Sequence, residues 1–449
     1  MDRDTAEVRV GSMPGERARE WAAYHREVAA TSTYVYDFVW DITAESAGPF
    51  CTDVDGNVLL DFTSHVAAAP LGYNNPKITE PMAEFDLVDP TKIAGQDFYV
   101  SDGSDPGEST IPGPADLMHE LVERTGHYGL DTVFLSNSGA EAVENAIKVC
   151  YDASGGGTYG VTFEGAFHGR TLGALSLNRS KSVYRREFPE MSGVHDVPFC
   201  DDRGCSPETC SCGFFVDDGD TSVLREKLHP KTGHVDPDEL SYIIMEPIQG
   251  EGGYRFPSEA FMEEVADLAT AHDVPLVADE IQSGMGRTGE WWGSDHYPVE
   301  PDVITGAKGM RVGATIANED TFPEERARLS STWGAGDVVA SAQGVFTLRA
   351  IDEYDLLENA VVRGEQFKET VRDADLSGVT DVRGEGLMLA VEFESGDLRD
   401  GVQEAALKRG LLTLACGSTV IRVLPPLDVT EREIAMGAEL LIEAVGDVN

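Results

Sequence analysis

The chain has 449 residues, with 80 acidic side chains against 34 basic ones and a formal net charge of −46. That length suits one large two-part globular protein or two to three ordinary domains, and a composition 41% hydrophobic and 25% charged can bury a sizeable core. The charge argues against binding nucleic acid or docking on an anionic membrane, because both need clustered Lys and Arg.

The acidic residues are spread along the chain rather than gathered in a tail, and only nine lysines stand against 25 arginines. A wholly acidic surface points to adaptation to molar salt, where screening contracts to ~3 Å; an ordinary acidic protein is the plainer alternative. Residues Met1 to Ala30 lack the long apolar run of a signal peptide. No apolar stretch approaches the ~20 residues that span a bilayer, so a soluble, cytoplasmic protein is expected.

In chain order, Asp53-Val54-Asp55-Gly56-Asn57 reads as a turn between two short strands. Asp131 to Leu135 reads as a strand, followed by Ala140, Val143, Ile147 and Cys150 at helical spacing. Ser241 to Ile248 is the next strand, Phe261, Val265 and Leu268 mark a helix, and Val274 to Ala278 is a strand of buried type. Asp302 to Thr305 leads to Lys308. Alternating units of this kind, with near-continuous apolar strands, predict a mostly parallel sheet covered on both faces. Near the end, Thr419 to Leu424 reads as a strand stopped by Pro425-Pro426, and Thr430 with Glu433 forms a capping-box pattern opening the last helix. The expected organisation is α/β: a large domain at about 63–345, and a smaller α+β domain from residues 1–62 and 346–449.

Four segments carry chemistry. Ser136-Asn137-Ser138-Gly139-Ala140-Glu141-Ala142 lies where a strand hands over to a helix, and small residues at a helix N-terminus can cradle a phosphate. In Phe163-Glu164-Gly165-Ala166-Phe167-His168-Gly169-Arg170-Thr171, an aromatic, an imidazole and a guanidinium stand together, and Arg170 suits bidentate capture of a carboxylate. Glu246, in EPIQGEGG, and Asp279, in VADEIQSG, fall at the carboxyl ends of expected strands, the edge where open α/β sheets place ligands. Asp279 follows an apolar run, so a buried carboxylate in need of a partner is expected. Lys308 sits at a strand end between small residues, where partial desolvation would make a neutral amine available. Each segment alone has a plainer reading: a Ser- and Gly-rich turn, a core Phe with a surface Arg, a structural ion pair, a solvated Lys. Together they supply what a pyridoxal phosphate site requires: an anion cradle, a stacking aromatic, an anion for the ring nitrogen and an amine for the aldehyde.

The motifs SGAEA, FHGRT, EPIQGEGG and DEIQSGMGRTG, followed by Lys308, resemble the class III pyridoxal-phosphate aminotransferases, whose members include ornithine, acetylornithine, 4-aminobutyrate and lysine 6-aminotransferases. The resemblance implies the fold type I of these transferases and runs from Asp53-Val54-Asp55-Gly56 to Ile421-Arg422-Val423-Leu424-Pro425-Pro426-Leu427. It implies that Ser138, Gly139 and Ala140 hold the phosphate, that Phe167 stacks on the pyridine ring with His168 beside it, and that Asp279 pairs with the ring nitrogen. Ile281 would pack behind the ring and Gln282 would bond its hydroxyl. Lys308 would join the cofactor aldehyde and then move the proton. Thr332 matches a position that reaches the phosphate of a neighbouring subunit, which implies a homodimer with a shared site. Arg422 and Arg170 match carboxylate-binding arginines, and Glu246 matches the glutamate that pairs with the first of them. The implied reaction is ping-pong transamination from an ω-amino donor to 2-oxoglutarate. A racemase or aminomutase using the same site is the alternative, and a non-catalytic binding or scaffold protein is the rival from another class. The sequence departs from the family in GMRVGATIA after Lys308 and in WGAGD after Thr332.

Cys200, Cys205, Cys210 and Cys212 fall within thirteen residues and are not part of that family pattern. Clustered thiols in a reducing compartment suit a metal, and four could close a structural zinc site on a surface insertion; redox pairing and unliganded thiols are the alternatives.

Overall fold

A computed structural model describes residues 1–30, 38–93 and 95–448, and the chain divides into two compact units, Met82–Asp352 and Met1–Pro81 with Glu353–Asn449. Residues 31–37, at the head of the N-terminal segment expected to carry the first turn, lie outside that range.

The unit Met82–Asp352 is built on a seven-stranded sheet. Its strands are β1 (Thr132–Ser136), β2 (Tyr159–Phe163), β3 (Val194–Val197), β4 (Leu240–Met245), β5 (Leu276–Asp279), β6 (Val303–Gly306) and β7 (Gly313–Ala317). The order across the sheet is β1-β7-β6-β5-β4-β2-β3. All neighbours from β6 through β5, β4 and β2 to β3 are parallel, and only β7 runs against its two neighbours. Every residue of β4 and β5 is buried, which explains why these segments read as unbroken apolar runs rather than alternating ones. One face is covered by helix α1 (Gly139–Ala153), whose Val143, Ala146, Ile147 and Cys150 pack with Ile244, Val277 and Val303. The other carries helix α2 (Glu259–Ala271), whose Phe261, Val265 and Leu268 pack with Val161, Phe163, Ile243 and Met245. Both helices are capped by a serine: Ser138 Oγ accepts from the Glu141 amide at 3.2 Å, and Ser258 Oγ from the Phe261 amide at 3.2 Å.

The other unit is α+β. A four-stranded antiparallel sheet joins Val379–Glu385, Met388–Phe393, Val420–Val423 and Leu414–Cys416 in that order, and a three-stranded sheet joins Phe50–Thr52, Val58–Asp61 and Leu411–Leu412. The Asp53–Asn57 turn forms as expected. Asp53 Oδ1 accepts from the amides of Asp55 (2.9 Å) and Asn57 (2.8 Å). The capping box opening helix Glu431–Val448 forms as well, with the Thr430 amide 2.8 Å from Glu433 Oε2.

The division falls at Pro81/Met82 and Asp352/Glu353, later in the chain than the boundaries at 62/63 and 345/346 read from the sequence. The reason lies in residues 62–75, which bond to the C-terminal part of the chain. Phe62 and Leu412 share a backbone bond of 3.1 Å, Ser64 Oγ donates to the Leu424 carbonyl at 2.6 Å, and Asn75 Nδ2 donates to Asp428 at 3.1 Å. Among the described residues no helix is long and apolar enough to cross a membrane.

Candidate active site

The carboxyl ends of β1, β2, β4, β5 and β6 converge on one edge of the large sheet. Asp279 is the last residue of β5 and is buried. Its Oδ2 lies 2.7 Å from His168 Nδ1, and its Oδ1 accepts from Thr305 Oγ1 (3.2 Å) and from the Ile281 amide (3.2 Å). The His168 Nε2 atom is buried without a hydrogen-bond partner among the described residues. With no acceptor there, the imidazole's proton belongs on Nδ1, donated to the carboxylate. The partner that a buried Asp279 needs is therefore His168, a link that sequence spacing does not disclose.

His168 is itself held in place. Its amide donates to Asn178 Oδ1 at 2.6 Å, and Asn178 Nδ2 returns a 2.8 Å bond to the Gly169 carbonyl. Gly169 has φ +140°, and a Cβ there would come 2.7 Å from the Ala140 Cβ. The FHGR turn thus lies directly on the first turn of α1. Gly139 makes a second close approach: a Cβ on it would fall 2.7 Å from Ile281 Cδ1. Ser138, Gly139, Ala140, His168, Asp279 and Ile281 are so brought together, at the positive end of a 15-residue helix.

Glu246, just past β4, is buried and accepts from the Phe167 amide (2.9 Å) and the Gly250 amide (2.8 Å). Burial pushes its carboxyl up to about 7; His168 opposes that shift and Asp279 adds to it. Gly250 lies against Gln282: a Cβ there would sit 2.4 Å from Gln282 Nε2. Gln282 Oε1 accepts from the Tyr254 hydroxyl at 2.8 Å. Phe167 is half-buried and meets Tyr184 edge-on, with ring centroids 5.7 Å apart. Arg170 is exposed, its guanidinium 4.1 Å from the Tyr184 ring, and it has no carboxylate partner among the described residues.

Lys308 lies beyond β6, three residues past Thr305, the residue paired in register with Asp279. It is half-buried and has φ +39°. Thr332 Oγ1 accepts from Asn137 Nδ2 (2.9 Å) and donates to Glu141 Oε2 (3.0 Å), which ties it to the first turn of α1 in its own chain. Arg422 is buried on strand Val420–Val423 of the other unit, in register with Ala390 and Leu414. The four clustered thiols pack with the α2 face of the sheet.

Asn178, Thr305 and Tyr254 are the supporting residues that sequence reasoning passed over. Tyr254 had a signal, since it directly follows the EPIQGEGG motif; Thr305 had none, because its role depends on strand register, nor had Asn178, which ends the short helix Leu172–Leu177 and turns back on His168. Glu280 had a misleading one. It neighbours Asp279 but turns to accept from the Gly293 and Ser294 amides (2.8 and 2.7 Å) and from the Ser294 hydroxyl (2.7 Å), so it ties down the following loop instead.

The donor set fits pyridoxal phosphate. A long helix offers capped amides to a phosphate, a buried carboxylate backed by an imidazole suits a cationic ring nitrogen, and an amine stands on the adjacent strand end. A model of the class-III aminotransferase family matches residues 35–445, and the chain belongs to that family. It is thus a pyridoxal-phosphate-dependent enzyme of the transaminase class. Among its curated relatives, the acetylornithine aminotransferase of Methanosarcina mazei is 34% identical over 90% of this chain and 91% of its own. The acetylornithine aminotransferase of Synechocystis is 31% identical over 90% and 88%. The alanine/serine racemase of Pyrococcus horikoshii is 31% identical over 97% and 91%. Among solved structures, the lysine aminotransferase of M. tuberculosis superposes with a TM-score of 0.83 at 27% identity, covering 98% of this chain and all of that one.

Proposed function

We propose that the protein transfers an amino group from an ω-amino donor to 2-oxoglutarate by a ping-pong route. The observation that carries this reading is Asp279, buried, bonded to His168 and in register with β6, two residues beyond which lies Lys308. Bound pyridoxal phosphate supplies an electron sink for the bond-breaking at the amine-bearing carbon. Asp279 would face the ring nitrogen and favour its positive charge, and the bond to His168 Nδ1 orients that carboxylate. Ser138, Gly139 and Ala140 offer amides to the phosphate, Ile281 and Phe167 confine the ring, and Gln282 bonds its hydroxyl. Lys308 supplies the amine that holds the cofactor and the base that moves a proton at the substrate carbon.

Arg422 is assigned a substrate carboxylate by its place in the IRVLPPL motif, and the exposed guanidinium of Arg170 is assigned a second. A substrate with two carboxylates agrees with 2-oxoglutarate as acceptor. Glu246, poised to gain or lose its charge near pH 7, suits a site that must accept both a cationic donor and a dianionic acceptor in turn. The enzyme acts as a homodimer, and Thr332, bonded within its own chain to Asn137 and Glu141, is assigned to the partner subunit's phosphate by its motif position alone. It works in the cytoplasm, which suits seven free cysteines, and its acidic surface is adapted to molar salt. The relatives named for acetylornithine and lysine support an ω-amino donor.

The racemase relative favours a second reading, since it matches a larger share of this chain than the two aminotransferases do. The two readings separate in one assay. Each of lysine, ornithine, acetylornithine, 4-aminobutyrate, alanine and serine is incubated with and without 2-oxoglutarate. Glutamate formed only when the keto acid is present, with parallel lines in double-reciprocal plots, supports ping-pong transamination. Loss of optical rotation from alanine or serine without the keto acid, and no glutamate with it, overturns transamination.

A further inference from the structure

Four thiols converge in a segment that transamination does not use. The Sγ atoms of Cys200, Cys205 and Cys212 all lie within 4.8 Å of one another, and Cys210, outside that trio, has its Sγ 3.1 Å from Cys212 Sγ. A tetrahedral thiolate site with metal–sulfur bonds of ~2.3 Å has sulfur–sulfur edges of about 3.8 Å, inside the 4.8 Å that encloses the trio.

Cys200 Sγ lies 3.8 Å from the Asp202 carbonyl oxygen and 3.6 Å from Ser258 Oγ, and Cys205 Sγ 3.6 Å from the Ser206 carbonyl oxygen. The local scaffold needs a tie. Between Cys200 and Ser222 the regular structure amounts to two paired strands of two residues, Phe215–Val216 and Thr221–Ser222, and two single 3₁₀ turns. Phe214 anchors this segment by edge-to-face contact with Phe261 of α2, at 4.5 Å between centroids. The sulfurs lie on the side away from α1, on which the Asp279 site is built.

We infer that Cys200, Cys205, Cys210 and Cys212 bind one soft divalent ion of the zinc class, as four thiolates, and that this ion ties the segment 200–222 to the sheet. Each thiol loses its proton to solvent on binding, so up to four protons leave as one dication enters. No oxidation or reduction is involved.

The test uses the intact enzyme, purified under reducing conditions and gel-filtered into metal-free buffer. Elemental analysis is expected to give about one zinc per chain. Titration with p-hydroxymercuribenzoate should release that zinc as the thiols are consumed, read by a chromogenic chelator. Cys210→Ser and Cys205→Ser should each bring zinc below about a tenth per chain and lower Tm by on the order of 5 °C, with the cofactor's visible absorbance kept. If either variant does not fold, the release titration of the unmutated protein decides alone. Zinc below about a tenth per chain, even after incubation with zinc and a reductant, overturns the inference. So does a Cys210→Ser variant that keeps its full zinc, or an alkylated-protein mass showing a disulfide among these four residues.

Discussion

At the edge of the large sheet, Asp279 ends one strand and Lys308 follows another, both strands with every residue buried, and His168 is held by Asn178 and by the first turn of α1. The segment 200–222, in the same unit, hangs on strands two residues long. Both regions gather reactive side chains to within hydrogen-bonding distance. In the first, the placement comes from hydrophobic strands paired in register; in the second, too little regular structure is present to fix four sulfurs, and coordination can do it. The contrast teaches that a catalytic cluster on a sheet can tolerate replacement of one of its members without local collapse, whereas a cluster that is its own scaffold cannot.

The largest effect expected on the sheet side is from Lys308→Ala. Turnover should fall by more than about a thousand-fold and the visible absorbance of the bound cofactor should disappear, while circular dichroism and Tm stay close to the parent's. A variant that instead unfolds would place Lys308 among structural residues and erase the contrast.

Glu280→Ala tests the same strand end for stability. It strands the Gly293 and Ser294 amides and two serine hydroxyls, so a loss of about 3 kcal/mol is expected from denaturant unfolding. Turnover per folded, cofactor-loaded chain should hold, which would separate Glu280 from its neighbour Asp279.

His168→Ala should lower kcat by about 10- to 100-fold through Asp279, and His168→Gln should restore part of it, because an amide can still donate to the carboxylate. Equal losses in the two variants would give the imidazole a different task.

Glu246 gives the smallest effect, read in pH. Its folded carboxyl holds a proton up to about 7, above the ordinary 4.5. Between those values the folded chain binds the proton more tightly than the unfolded one, so the stability this group contributes falls as pH rises through the window. Tm should therefore drop between pH 5 and pH 8 by a few degrees more in the parent than in Glu246→Gln, and an inflection near pH 7 in kcat/KM should be missing from the variant. Identical pH profiles would remove the carboxyl from the account.

Much of this architecture is legible in the chain itself. The apolar runs of β4, β5 and β6, the Ser138 cap, the Asp53–Asn57 turn and the Thr430–Glu433 box all announce themselves through local chemistry. The strand β7, Gly313–Ala317, does not: its five residues are small or apolar without alternation, and its reversed direction breaks the βα rhythm. Edge strand β3, Val194–Val197, is four residues long with three of them half-buried, too weak a pattern to stand out. The site's charged residues could be found from strand ends, but the bonds joining them could not. That His168 meets Asp279 across 111 residues is a matter of register between strands, and no local signal carries it.

Lys308 occupies a left-handed backbone position, at φ +39°, next to Ala307 at φ −164° and ψ −134°. A β-carbon there costs roughly 1–2 kcal/mol that glycine would avoid. Under the proposed function, the chain carries its reactive amine at a place where the main chain is ill at ease with a side chain. A laboratory lineage selected for durability alone would drift towards glycine at this point, gaining a sturdier protein and losing its chemistry in one step.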